Sequence, residues 1–190
     1  MKLAAIDIGS NAARLQISSV LKSNETVKFK RIEYVRFPLQ LGHDISQTQC
    51  ISAEGEQKLL QLLHAFKLLI NLYEVDDYMI CATSALREAK NRLIVTRRIR
   101  EEMGLSINII SGEEEAALIR KAVQYLLDHD YYLHVDVGGG STEVSFYEGL
   151  SKLATRSFNL GAIKLSKRVD TPLSWEEMRV WIRAQRRELD

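Results

Sequence analysis

Four short segments of the sequence combine carboxylates, hydroxyls, arginine and glycine in patterns that suit phosphate chemistry. In the first, Asp7 ends a predicted strand, and Gly9 lets the backbone turn tightly before Ser10 and Asn11. Backbone N–H groups in such a turn form an anion-binding nest, and the serine and asparagine side chains add donors. The same residue types also build ordinary hairpin turns, so this segment alone leaves both interpretations open.

The second segment is richer in glycine and runs from Asp136 to Glu143. Its three consecutive glycines are Gly138, Gly139 and Gly140. Glycine loses much conformational entropy on folding, so three in a row indicate a place where the backbone approaches a ligand closely. Ser141 and Thr142 add hydroxyl donors, and the two carboxylates are hard oxygen ligands of the kind that Mg²⁺ takes together with phosphate and water. A flexible hairpin loop is the alternative interpretation.

The third segment places three glutamates at the start of a predicted helix. Ser111 and Glu114 have the spacing of a capping box, and Glu113 is also favourable near a helix N-terminus. Glu115 is not needed for the cap, so it is the candidate to position and deprotonate a water molecule. The alternative is that all three glutamates only stabilise the helix.

The fourth segment brings an arginine close behind a predicted buried strand. Thr83 and Ser84 follow the apolar run 78–82, and Arg87 comes within one further turn. Arginine suits bidentate contact with phosphate. The alternative is that Arg87 pairs with a nearby surface carboxylate.

These segments lie at the ends of a regular series of predicted elements. Strands are predicted near 3–8, 12–20, 26–37, 78–82, 107–110, 131–137, 142–147 and 152–158. Helices are predicted near 53–74, from Asn91 to a point before Gly104, and near 111–127, 162–169 and 175–189. Ser52 and Asn91 are predicted N-caps. Strands that alternate with helices indicate a mixed α/β fold.

The strand that leads to Asp7 has a counterpart that leads to Asp136, 129 residues further on. Each copy continues through a polar turn into a second strand, which predicts two related lobes, each offering an Asp-x-Gly hairpin to a shared cleft. We expect the first lobe at 1–127 and the start of the second at 128–190. A second lobe as long as the first would extend beyond residue 190, so the sequence is expected to be a fragment in which that lobe is truncated.

The net charge, the cysteine spacing and the length of the apolar runs narrow the class of protein. The net charge is +1, which gives no global argument for binding nucleic acid or a membrane. Cys50 and Cys81 have neither metal nor redox spacing, and the latter is expected as a buried, reduced thiol. No apolar run approaches the length of a membrane span and no signal peptide precedes Asp7, so a cytoplasmic setting is expected.

Taken together and in this order, the four segments resemble the exopolyphosphatase / guanosine pentaphosphate phosphohydrolase (Ppx/GppA) family of the actin-like ATPase superfamily. The resemblance covers residues 7 to 143. It implies a ribonuclease H-like fold of two lobes around a phosphate cleft. It also implies magnesium-dependent release of a terminal phosphate from inorganic polyphosphate or guanosine pentaphosphate, which are then the expected partners, together with a possible homodimer.

The resemblance also assigns roles to residues of this sequence. Glu115 matches the water-activating base, and Asp136 and Glu143 match acidic metal-site positions, with Asp7 as a further candidate metal ligand. The positions that match phosphate-contacting residues are Ser10, Asn11, Arg87, Gly138, Gly139, Gly140, Ser141 and Thr142. One departure is Ala12, where the family commonly has serine, so one hydroxyl donor near the phosphates is expected to be missing.

Two other functions fit the same residues. An actin-like kinase or ATPase would share both hairpins but would need an adenosine pocket and an acceptor site. A non-catalytic module that binds polyphosphate or an alarmone nucleotide would show saturable binding without phosphate release. The intact set of Glu115, Asp136 and Glu143 favours the phosphohydrolase.

Overall fold

The computed structural model describes residues 1–23, 26–123, 130–139, 141–149, 151–162, 165 and 172–187. The chain divides into two compact units, Met1–Glu115 and Ala116–Asp190. The expected limits of the two lobes, 127 and 128, lie outside the described residues. Within the described part, no helix combines the length and the apolar character that crossing a membrane requires.

Unit 1 is built on a five-stranded mixed sheet in the order β3-β2-β1-β4-β5. Strands β1, β2 and β3 form an antiparallel meander, and β4 and β5 add in parallel on the other side of β1. Its strands are β1 Lys2–Ile8, β2 Ala13–Ser23, β3 Thr26–Phe37, β4 Asp77–Ala82 and β5 Asn108–Ile109. Its helices are α1 Leu41–Thr48, α2 Ala53–Leu72, α3 Ser84–Glu88, α4 Arg92–Met103 and α5 Gly112–Val123, which continues into unit 2.

The core of unit 1 lies on one face of this sheet. Alternate residues of β1 and β4, such as Ile6 and Ile80, pack against the apolar stripe of α2, in which Phe66 is buried. On the opposite face the register partners Ala5 and Met79 are exposed. The prediction that 78–82 is a buried strand is wrong for Tyr78 and Met79, which are exposed; Met79 lies on the face of the sheet opposite the core.

The caps of the long helices follow the prediction in part. Ser52 caps α2, since its hydroxyl accepts a hydrogen bond from the N–H of Gly55 at 3.0 Å. Gly104 ends α4 in the left-handed conformation, with φ of 66°. Asn91 precedes α4, but its side chain makes no cap; it bonds both the N–H and the carbonyl of Ile51 at 2.9 Å instead.

Unit 2 contains an antiparallel sheet in the order β6-β7-β8, followed by a helix. These elements are β6 Tyr131–Val137, β7 Thr142–Glu148, β8 Ser151–Phe158 and α6 Pro172–Arg187. Trp181 of α6 packs against Phe146 and Phe158, with ring centroids 5.8 and 5.6 Å apart. The helix predicted near 162–169 lies mostly outside the described residues.

Strands β1 and β6 are equivalent in the internal repeat, but they differ in how much of their apolar side chains is buried and in the number of strands they pair with. Ile6 of β1 is 2% exposed, whereas its equivalent Val135 in β6 is 48% exposed. In unit 1 the parallel strand β4 pairs with β1. Among the described residues β6 pairs with β7 alone, so its second edge is open.

Candidate active site

The turn after β1 is closed by its own backbone. The N–H of Gly9 donates to the carbonyl of Ala12 at 3.0 Å. A Cβ atom on Gly9 would lie 3.2 Å from that carbonyl oxygen, a close approach that favours glycine here. The Ala12 side chain, at the position where the resemblance expects serine, is buried.

The turn after β6 repeats this geometry. The N–H of Gly138 donates to the carbonyl of Ser141 at 2.8 Å, and a Cβ on Gly138 would again lie 3.2 Å from the oxygen it faces. Gly139 lies inside this turn, and Gly140 lies outside the described residues. The internal repeat inferred from the sequence therefore extends to an equivalent backbone hydrogen bond in each turn.

Each turn is braced by the segment that follows the third strand of its unit, a feature that the sequence argument missed. In unit 1 the N–H groups of Gln40 and Gly42 donate to the carbonyls of Asn11 and Ser10 at 2.9 and 2.8 Å. In unit 2 the N–H of Ala162 donates to the carbonyl of Gly138 at 2.9 Å. A repeated Leu-Gly pair, at 41–42 and 160–161, was the available signal.

The two aspartates of the repeat stand opposite different residues. Asp7 faces Arg14 across β1 and β2, and the two side chains form an ion pair at 2.6 Å. Asp136 faces Glu143 across β6 and β7. The single carboxylate of the first pair meets a cation, whereas the second pair places two carboxylates opposite each other, which is unfavourable without a cation beside them.

The donor set in unit 2 fits Mg²⁺ on chemical grounds. No group of three or more His, Cys, Asp or Glu residues in the described ranges is arranged to hold a metal. Mg²⁺ does not need one, because it takes one or two carboxylates and completes its octahedron with water and phosphate oxygens. Asp136 and Glu143 provide such a pair, and Thr155 supports the latter by donating to its Oε1 at 3.4 Å.

The three glutamates at the start of α5 have separate structural roles. Glu114 accepts from the N–H of Ser111 at 2.7 Å, and its own N–H donates to the Ser111 hydroxyl at 3.1 Å, which confirms the capping box. The backbone N–H of Ser111, and then its hydroxyl, hold the pKa of the Glu114 carboxyl below its ordinary value of 4.5. Glu113 is exposed, and Glu115 turns away from the cap.

Glu115 meets Arg87. Nη1 of the arginine lies 3.2 Å from Oε2 of the glutamate and donates also to the carbonyl of Ile110 at 2.8 Å. Both side chains are about one-third exposed, at 31% and 34%. Arg87 therefore pairs with a carboxylate, as the alternative interpretation expects. That carboxylate is Glu115, the candidate catalytic base.

Ser10 contacts a residue that the sequence argument did not assign. Its Oγ lies 2.5 Å from Oγ of Ser84, the residue that follows Thr83. The N–H of Thr83 donates to the carbonyl of Ile8 at 3.1 Å, so the fourth segment is joined to the first by backbone and side chain. The first, third and fourth segments are therefore brought together within unit 1.

Thr142 is placed differently from the expectation. Its side chain is buried, and its hydroxyl donates to the carbonyl of Leu160 at 2.7 Å. In this structure the hydroxyl proton is used inside the protein, where it anchors β7 to the segment after β8, and the phosphate contact stays a prediction. Ser141, by contrast, is exposed beside Gly138.

Comparison with known proteins agrees with the family resemblance of the four sequence segments. The sequence model of the Ppx/GppA phosphatase family matches residues 19–189. The bifunctional 3-dehydroquinate synthase/phosphatase of Fusobacterium nucleatum is 33% identical over 173 residues, covering 87% of this chain and 26% of that protein. A guanosine-5'-triphosphate,3'-diphosphate pyrophosphatase of Vibrio atlanticus is 30% identical, covering 84% of this chain and 32% of that protein.

A solved structure extends the comparison to the fold. The exopolyphosphatase from Cytophaga hutchinsonii superimposes with a TM-score of 0.78 at 26% identity, over 88% of this chain and 53% of that chain. The chain therefore spans about half the length of this solved protein and a third or less of the two sequence relatives. The expected α/β fold class is confirmed.

Proposed function

Because the chain belongs to the Ppx/GppA phosphatase family, we propose that the protein hydrolyses the terminal phosphate of inorganic polyphosphate or guanosine pentaphosphate with the help of Mg²⁺. The observation that carries this proposal is the contact between Arg87 and Glu115 at 3.2 Å, which puts a phosphate-binding cation beside a carboxylate that can accept a proton. The names of the Vibrio and Cytophaga relatives supply the two substrate classes.

Arg87 holds the terminal phosphate in this scheme. Nη1 is directed to Ile110 and Glu115, while Nε and Nη2 have no acceptor among the described residues. A guanidinium offers those two remaining nitrogens as a fork that matches two phosphate oxygens. Backbone N–H groups and the Ser10 hydroxyl of the first turn, which is bonded to the segment that carries Arg87, add further donors.

Glu115 then acts on water. A water molecule between Glu115 and the phosphate held by Arg87 transfers one proton to the carboxylate as its oxygen bonds to phosphorus. The bond from phosphorus to the bridging oxygen breaks, and the shortened chain leaves with the electron pair of that bond. Catalysis of this kind rests on positioning and charge stabilisation, and a positioned base contributes about 10²–10⁴-fold in rate.

The residues proposed to hold Mg²⁺ are Asp136 and Glu143, because they stand opposite each other across β6 and β7 and both offer the oxygen ligands that this ion takes. When bound, the ion would neutralise charge on the phosphate oxygens. Asp7 fits this role less well, since Arg14 already balances its charge at 2.6 Å. We propose that Asp7 instead keeps Arg14 oriented at the first turn.

Phosphate release is the experiment that tests the proposed function. Polyphosphate, guanosine pentaphosphate and ATP are supplied side by side, with and without Mg²⁺, to the chain and to the complete open reading frame that encodes it. Release from either of the first two substrates is expected, and Glu115→Gln should lower it by about 10²–10⁴-fold while substrate still binds. The matched control is Glu113→Gln, which changes an exposed carboxylate in the same turn.

The other two functions predict different results in the same assay. A kinase would consume ATP only in the presence of an acceptor, and a binding module would bind polyphosphate without releasing phosphate. Wild-type turnover in Glu115→Gln would remove this residue from the role of base. The cytoplasmic setting and the homodimer remain predictions, and sedimentation of the complete protein would test the latter.

A further inference from the structure

The contact between Ser10 and Ser84 has no role in the scheme above. The two Oγ atoms are 2.5 Å apart, which is at the short end of the range for hydroxyl–hydroxyl hydrogen bonds. Both side chains are half-buried. The bond joins residues that are 74 positions apart in the chain, so it is a product of the fold and not of local turn geometry.

The position of Ser84 connects two groups that contact phosphate in the proposed function. It follows Thr83, whose N–H donates to the carbonyl of Ile8 and whose carbonyl accepts from the N–H of Arg87 at 3.0 Å. The hydroxyl on the other side of the bond belongs to Ser10, inside the first turn. Ser84 therefore ties the segment that carries Arg87 to the turn that forms the first nest.

The number of hydroxyl protons in this pair determines how many hydrogen bonds it can donate. Each serine hydroxyl has one proton to donate and can accept as well. A hydrogen bond between the two uses one proton and leaves the second on the accepting hydroxyl, where fewer orientations are open to it because one lone pair of that oxygen already faces the donor. A donor that is already oriented binds an anion without the entropic cost of stopping its rotation.

We propose that Ser84 is a positioning residue, which fixes the Ser10 hydroxyl so that the pair presents one oriented O–H donor to the terminal phosphate. This proposal rests on the proposed function, because it assumes that the first turn binds phosphate. It predicts that the two serines act as one unit. It also offers a donor at the first turn of a chain that has alanine at position 12.

The test measures binding of tripolyphosphate to the chain by calorimetry, without reference to turnover. Ser84→Ala is expected to weaken binding about tenfold, since a hydrogen bond to a charged group is lost or misdirected. Ser10→Ala should weaken it by a similar factor. The double variant should bind no more weakly than either single variant, because removal of one hydroxyl already disables the pair.

Two further variants separate positioning from simple structural support. Ser84→Thr keeps the hydroxyl and is expected to restore binding to within about twofold of wild type. Ser18→Ala is the matched control: this buried serine of β2 also accepts one side-chain hydrogen bond, from Gln16 at 3.2 Å, but lies away from the turn. It should leave tripolyphosphate binding unchanged.

Each result decides the question. A Ser84→Ala variant that binds tripolyphosphate as tightly as the wild type would overturn the proposal. It would also be overturned if the losses of affinity in Ser10→Ala and Ser84→Ala multiplied in the double variant. A wild-type chain that binds no tripolyphosphate would overturn it as well. A chain that binds tripolyphosphate with the expected coupling, although the complete protein releases no phosphate, would contradict the proposed hydrolysis but support the role of Ser84.

Discussion

Arg14 and Glu143 occupy equivalent positions in the two units, 129 residues apart, and carry opposite charges. Each stands across a strand pair from an aspartate of the repeat, Asp7 in one unit and Asp136 in the other. The duplicated hairpin has thus been adapted to two tasks. In the first unit the pair of Asp7 and Arg14 has no net charge. In the second unit Asp136 and Glu143 are two facing carboxylates, which favour a cation.

This difference predicts where a divalent ion binds. Titration of the chain with Mn²⁺ as a probe for Mg²⁺, followed by calorimetry, should show binding that Asp136→Asn and Glu143→Gln abolish. Asp7→Asn should retain it, because that carboxylate is already paired with Arg14. Loss of binding in Asp7→Asn equal to that in Asp136→Asn would show that all three carboxylates share one ion.

The same charges predict an effect on stability without metal. Glu143→Gln removes the repulsion between two facing carboxylates, and should raise the free energy of unfolding by about 0.2–1 kcal/mol. The variant should also lose the stabilisation that Mn²⁺ gives to the wild type. Thermal unfolding with and without the ion measures both effects, and a destabilised metal-free variant would contradict the argument.

Arg87→Lys tests whether the guanidinium fork matters beyond its charge. Lysine keeps the positive charge but cannot make two parallel hydrogen bonds to phosphate. We expect KM for the phosphate substrate to rise about tenfold, the equivalent of roughly 1.4 kcal/mol. Steady-state kinetics of the complete protein check this, and an unchanged KM would mean that Arg87 serves mainly to hold Glu115.

The capping box predicts a dependence of helix α5 on pH. The pKa of Glu114 is lowered in the folded protein by its bonds to Ser111, so the folded state favours the ionised carboxylate. The resulting stability is fully present above the ordinary value of 4.5 and is lost as pH falls through the lower, folded value. Circular dichroism between neutral and acidic pH should show less change in Glu114→Gln than in Glu113→Gln, whose response should match the wild type.

Three glycines predict different responses to alanine. Gly9→Ala and Gly138→Ala each place a methyl group 3.2 Å from a backbone oxygen that cannot move freely, and should cost about 1–2 kcal/mol of stability. Gly112→Ala, at the start of α5, has no atom within 4 Å of the new methyl group and should be neutral or stabilising by up to about 1 kcal/mol. Urea unfolding of the three variants compares them directly; equal effects would exclude a special requirement at the turns.

Much of the fold was predictable because it rests on local patterns. The apolar spacing of α2, the Ser52 cap and the alternation of β1 and β2 are all readable over a few turns or strand residues. Helices α1 and α3, with 8 and 5 residues, are too short to show a helical period, and both were missed.

The less predictable features depend on residues distant in sequence. The side chain of Asn91 bonds the backbone of Ile51, 40 positions away, so no local rule could assign it. Thr142 was expected to bind phosphate, but its hydroxyl bonds Leu160, which follows the next strand. The role of Ser84 likewise depends on its distance from Ser10, which only the folded chain defines.

The edge of β6 that pairs with no strand among the described residues has a consequence for work with this chain in solution. A strand with unpaired backbone donors and acceptors and an exposed apolar row is a template for pairing with another chain. Two copies could join along β6 and bring their glycine turns into one assembly, which would make ligand affinities vary with protein concentration. Dilution series are therefore needed before affinities of variants are compared, and a lysine at Val135 on this edge is a direct way to keep the chain monomeric.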